Sequence, residues 1–239
     1  MTRPSLTILL ALTALAPACT SVDSSNILTS GMYASIGASA DGSGTTRVTT
    51  TLYLEDPGTL DFIELEGDDQ LIAYSPDGDS AIMRETQFLG ITSYSADFDV
   101  DDAGSEFIVE LSRTVDDGAP DSRAVLPDPF DILTEPGGTY SRANDDLVID
   151  WDPPAGDDID LSVSGTCIES YSTAIEGDPG TVTIGADTLV KPMGSNVPDN
   201  CDLTVELTRS TPGSLDPGYG HGGTVSGSQV RQIQVGSSP

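Results

Sequence analysis

From residue 46 onward, apolar and polar positions alternate in short runs separated by Pro, Gly and Asp. A period of two puts successive side chains on opposite faces of an extended strand, so one face can be buried while the other stays wet. Thr46 to Leu54, Leu60 to Leu65, Gln70 to Tyr74, Ile91 to Val100, Glu106 to Arg113 and Ser122 to Leu126 follow this pattern in the first half. Leu147 to Trp151, Ile159 to Val163, Thr181 to Ile184, Leu203 to Arg209 and Val225 to Val235 follow it in the second. Pro57-Gly58, Pro76-Asp77-Gly78-Asp79, Asp178-Pro179-Gly180 and Pro212-Gly213 supply turns between runs. No run holds the 3.6-residue period of an amphipathic helix. The pattern predicts an all-β protein.

Pro127-Asp128-Pro129 divides the chain. Two prolines fix their own φ and remove two ladder donors, so a strand should stop there. The halves also echo each other: Val109-Glu110-Leu111-Ser112-Arg113-Thr114 aligns with Val205-Glu206-Leu207-Thr208-Arg209-Ser210. The expected organisation is two related β-sandwiches in tandem, at 31–126 and 130–239, joined by a stiff linker at 127–129.

The N-terminus has a different composition. Arg3 is followed by an apolar stretch from Leu6 to Leu15 and by small residues at Ala16 and Ala18. This is the order of a removable export signal over residues 1–18. It is shorter than the roughly 20 apolar residues that span a bilayer. Leu15-Ala16-Pro17-Ala18-Cys19 resembles a bacterial lipobox, with Ala16 where that family prefers Leu. The resemblance implies that Cys19 becomes the first mature residue and carries a diacylglyceryl thioether and an N-acyl chain. Thr20 and Ser21 follow it, without the Asp that retains enteric lipoproteins in the inner membrane. The implied location is the outer membrane or cell surface. The polar residues after Cys19 read as a flexible tether over 19–30.

Val148-Ile149-Asp150-Trp151-Asp152-Pro153-Pro154 resembles the early strand of a fibronectin type III module, and the likeness extends over about residues 130–235. It implies an immunoglobulin-like sandwich with Trp151 in its core. That family's later corner tyrosine has no counterpart, because Leu203 stands in its place. Export also implies an oxidising compartment, in which Cys167 and Cys201 are expected to pair. Cys19 is then the odd thiol, and acylation gives it a role. One His and no close Cys pair fall short of a zinc site.

Charge narrows the partners. Acids number 39 against 9 bases, a net charge of −30. Such a chain repels nucleic acid and anionic headgroups. Asp97, Asp99 and Asp101 have the first spacing of a calcium loop. Asp102 then stands where the EF-hand needs Gly and Ile108 where it needs Glu. Those three, or Asp128 with Asp131, remain the only places where calcium is considered, and no cofactor is expected. Chemistry has few candidates. His221 is the single histidine, in Gly218-Tyr219-Gly220-His221-Gly222-Gly223, and no Gly-x-Ser-x-Gly accompanies it. The expectation is a non-enzymatic envelope protein with a structural, adhesive or binding role toward a surface protein or glycan. Its contact residues would be Tyr219, as an aromatic anchor, and His221 on their loop. The alternatives are a carbohydrate-binding module, which needs a flat row of exposed aromatics, and a hydrolase using two carboxylates.

Overall fold

A computed structural model describes residues 20–239 apart from 59–60, 135–138, 157 and 195. The leader at 1–18 and Cys19 lie outside the described residues. Among the described residues there are eighteen strands and two single 3-10 turns, Ser24–Asn26 and Thr29–Gly31. Before the proline junction come β1 (Thr20–Asp23), β2 (Tyr33–Ala40), β3 (Thr46–Tyr53), β4 (Asp61–Glu64) and β5 (Gln70–Tyr74). They are followed by β6 (Ser80–Ile82), β7 (Arg84–Phe88), β8 (Ile91–Phe98), β9 (Glu106–Ser112) and β10 (Ala119–Val125). After the junction come β11 (Asp131–Ile132), β12 (Thr139–Ser141), β13 (Leu147–Asp152) and β14 (Ile159–Ser164). The chain ends with β15 (Tyr171–Ile175), β16 (Thr181–Ile184), β17 (Cys201–Pro212) and β18 (Gly223–Ser238).

One large sheet runs in the order β1-β4-β3-β2-β18-β17-β14-β15, with β8 also on β3, β7 on β8 and β12 on β18. A sheet β10-β9-β5-β6 covers one end of it, and a sheet β11-β13-β16 accompanies the other. The result is two sandwiches with two cores. The first core gathers Met32, Ile36, Leu52, Phe98, Phe107 and Leu111. The second gathers Phe130, Ile149, Trp151, Leu161, Val205 and Leu207. Alternation drives both: β9 buries every second residue in the first core, and β13 does so in the second.

The cores do not follow the expected division at 127–129. Leu215, Tyr219 and Val225 lie after the junction in sequence and pack in the first core. The cause is the length of β18. Sixteen residues at about 3.3 Å each reach further than one sandwich is tall. Its first part, Gly223 to Gln229, runs parallel to β2 from Ala34 to Ala40. Antiparallel to β17, it then continues into the second sandwich as far as Ser237 opposite Cys201. The C-terminal strand therefore completes both units. At the crossing, a side chain on Gly227 would stand 1.9 Å from the carbonyl oxygen of Val125, so only glycine fits between β18 and β10.

The expected tether is also folded. β1 pairs in parallel with β4, Thr20 opposite Asp61 and Asp23 opposite Glu64. Ser24 and Thr29 are buried. Further on, Cys167 and Cys201 are joined with their Cα atoms 5.7 Å apart. The bridge closes a span of 34 residues. That removes enough unfolded-state freedom to stabilise the second sandwich by about 3–4 kcal/mol.

Candidate functional site

The Tyr219 and His221 loop joins β17 to β18. It is pinned rather than free. Ser214 and Arg123 exchange backbone hydrogen bonds at 2.8 and 2.9 Å. The Asp216 carboxylate accepts from the Asp121 and Gly218 amides at 2.8 and 2.7 Å. Tyr219 is only 3% exposed and belongs to the first core, so the aromatic-anchor expectation is corrected. The reason is the glycine that follows. A Cβ on Gly220 would stand 2.3 Å from the Ser30 carbonyl oxygen, and without one the loop backbone lies flat on the N-terminal segment. That close approach carries the tyrosine ring inward. Burial pushes the Tyr219 phenol well above its ordinary value. His221 stays exposed, its amide donating to the Met32 carbonyl at 3.3 Å.

Beneath this loop the N-terminal segment is held by one arginine. The Arg113 side chain is fully buried. Its Nε donates to Asp69 Oδ2 at 3.0 Å, Nη1 to the Ile27 carbonyl at 2.9 Å and to Thr29 Oγ1 at 3.0 Å, and Nη2 to the Ser24 carbonyl at 2.7 Å. Ser24 Oγ donates to the same Asp69 carboxylate at 2.8 Å. The Thr29 amide donates to Asp116 Oδ2 at 2.7 Å, and this hydrogen bond leads in holding Asp116 below the usual carboxylate value. Five donors on a rigid fork match the carbonyls of a non-repeating segment, a task that a lysine could not perform.

Arg209, the counterpart of Arg113 in the internal repeat, does the same in the second sandwich. Its Nε donates to the buried Asp178 Oδ2 at 2.7 Å, Nη1 to the Asp128 carbonyl and Nη2 to the Pro153 carbonyl, each at 2.7 Å. The guanidinium lies 4.8 Å over the Phe130 ring. Asp178 also accepts from Trp151 Nε1 and from the Ala155 amide at 3.2 Å. In each of these two hubs the buried arginine and carboxylate pair with each other. Neither hub was anticipated. The available signal was an arginine at the same place in both repeats of a chain with nine basic residues.

Other candidates are also occupied. Asp97 pairs with Arg47 at 2.7 Å, and Asp101 accepts from the Gly44 amide at 2.9 Å. Among the described residues no three His, Cys, Asp or Glu side chains are grouped to hold a metal. Asp41, Asp97, Asp116 and Asp199 are held below the usual carboxylate value, chiefly by hydrogen bonds from Ser43, Arg47, Thr29 and Lys191 respectively. Trp151 is buried, and the half-exposed rings of Tyr33 and Tyr53 meet edge to face at 75°, which does not make a flat sugar platform.

No protein-family model and no curated protein matches the chain. Among solved structures it shows a distant likeness to a segment of two fibronectin type III domains from chicken tenascin. The identity is 16% and the TM-score 0.24, over 85% of this chain and 97% of that one. A TM-score of that size supports no inference, and the two-sandwich architecture rests on the strand pairing described above.

Proposed function

We propose that this chain is a lipid-anchored envelope protein with a structural, adhesive or binding role, held at the outer membrane or cell surface through Cys19. Three observations support the reading. The leader and the lipobox-like residues end at Cys19. Cys167 and Cys201 are bonded to each other, which leaves Cys19 as the one unpaired thiol. Thr20, the residue after Cys19, lies in β1. The lipobox-like residues carry most weight, and an anchor at Cys19 would be followed directly by a paired strand.

Strand direction supplies the orientation. β18 enters the first sandwich beside Ala34 and leaves it toward the second. β2 runs parallel to this part of β18 and antiparallel to β3, while β1 starts beside Asp61 near the C-terminal end of β3. Thr20 therefore sits at the end of the first sandwich far from the second. An anchored chain would hold the first sandwich at the membrane and present the second outward, so the partner-binding surface belongs to the second.

The test is the intact mass of the protein extracted from membranes of the producing cell, alongside a Cys19→Ser variant. The expected mass is that of residues 19–239 plus a diacylglyceryl group and an acyl chain, with the variant released from the membrane fraction. A mature chain without acyl mass would overturn the proposal.

A further inference from the structure

The turn between β7 and β8 carries three large apolar side chains into solvent. Phe88 is 69% exposed, Leu89 79% and Ile91 42%. Phe88 pairs with Ile91, so Leu89 and Gly90 form a two-residue hairpin turn. Both have positive φ, 50° and 83°, as a type I′ turn requires. Asn-Gly or Asp-Gly is the low-energy choice there, and a leucine at this φ is strained by its Cβ. Backbone and solvent both disfavour Leu89, and no packing inside the fold compensates for it.

The register shows which way the tip points. Thr50 of β3 pairs with Tyr94 of β8. The ladder ends there, and from Tyr94 back to Ile91 β8 runs in the direction of the Tyr53 end of β3, whose edge is taken over by β4. Tyr53 pairs with Phe62, and the adjacent Asp61 pairs with Thr20. The hairpin tip and Thr20 therefore lie toward the same end of the first sandwich, the one away from the second. The half-exposed Tyr33 and Tyr53 pair stands at this end as well, opposite each other in register. Tyrosines with an apolar body and a polar tip suit the boundary between headgroups and acyl chains.

We infer that the β7–β8 hairpin is a membrane-contact element that dips Phe88, Leu89 and Ile91 into the interfacial layer of the bilayer anchoring Cys19. The inference rests on the lipid-anchor reading above. A bilayer fits better than a protein partner for two reasons. The paired strand β1 starts at the residue after the proposed anchor, which keeps this end of the sandwich near the surface. The tip is a small convex point, which enters a soft apolar layer more readily than it fills a flat interface. The net charge of −30 makes the target a zwitterionic surface rather than an anionic one.

The experiment supplies the anchor chemically. A chain of residues 19–239 carrying Phe88→Trp is coupled through the Cys19 thiol to a maleimide lipid in phosphatidylcholine vesicles, and fluorescence quenching by brominated acyl chains is recorded. The protein without Phe88→Trp gives the background from the buried Trp151. The expected result is a blue shift on coupling and loss of at least half the emission added at position 88. A further Leu89→Asn change, which suits the turn and preserves the fold, should weaken that quenching at least threefold. Emission at position 88 that coupling leaves unshifted and unquenched would overturn the inference, as would quenching insensitive to Leu89→Asn. The two proposals fail separately: an unacylated mature chain removes the natural anchor, and an unquenched indole removes the insertion.

Discussion

Replacing Arg209 with methionine tests the buried hub of the second sandwich. The change keeps most of the apolar stem but removes every donor. Asp178, with no exposed surface, would keep Trp151 Nε1 and the Ala155 amide but lose its counter-charge. The Asp128 and Pro153 carbonyls would lose their partners at the same time. Removing one side of a buried ion pair costs about 3–5 kcal/mol, most of it the penalty of the stranded charge. With a urea slope of about 2 kcal/mol/M, the unfolding midpoint should fall by about 2 M. Trp151 fluorescence is a direct probe, because its indole donates to the same carboxylate. Asp178→Asn in the Arg209→Met background removes the stranded charge and should recover a good part of the loss. A midpoint drop below about 0.5 M for Arg209→Met, or strictly additive effects in the double variant, would refute the hub as described.

Two further outcomes follow from the geometry. A fragment of residues 20–129 lacks β18 and the core residues Tyr219 and Val225, so it should show no cooperative thermal transition by circular dichroism, unlike the full chain; a sharp melt would refute the shared-strand account. Asp116 is held below its ordinary value of 3.8, mainly by the Thr29 amide, so its contribution is fully present above about pH 4 and is lost as pH falls through the lower folded value. Hydrogen exchange at Thr29 should therefore accelerate in acid, and Asp116→Asn should make that exchange independent of pH once the intrinsic rate is divided out.

Much of the strand content was legible because alternation is a local signal. Gln70–Tyr74 and Thr181–Ile184 form strands with the bounds that the pattern predicts. The central strand β2 was not read, since it buries Ala34, Ala38 and Ala40 beside Ile36, and small side chains give little contrast with Ser and Gly. β7 was missed for the opposite reason: all five of its residues are exposed, so nothing alternates. The N-terminal segment read as a tether because its polar residues are satisfied by Arg113, almost ninety positions away. Tyr219 read as an anchor because a glycine-rich loop resembles a free loop until its glycines are seen pressed against another backbone.

By itself, the amino-acid order determined that the chain pairs strands, where many of them lie, and that an odd number of cysteines leaves one thiol over. These depend on neighbours two residues apart or on simple counting. Tertiary structure alone decided that β18 serves both cores, that two repeated arginines become their polar centres, and that the hairpin tip shares an end with Thr20. Each of those depends on sheet register and on contacts between distant segments, and a period of two looks the same whichever strand lies alongside.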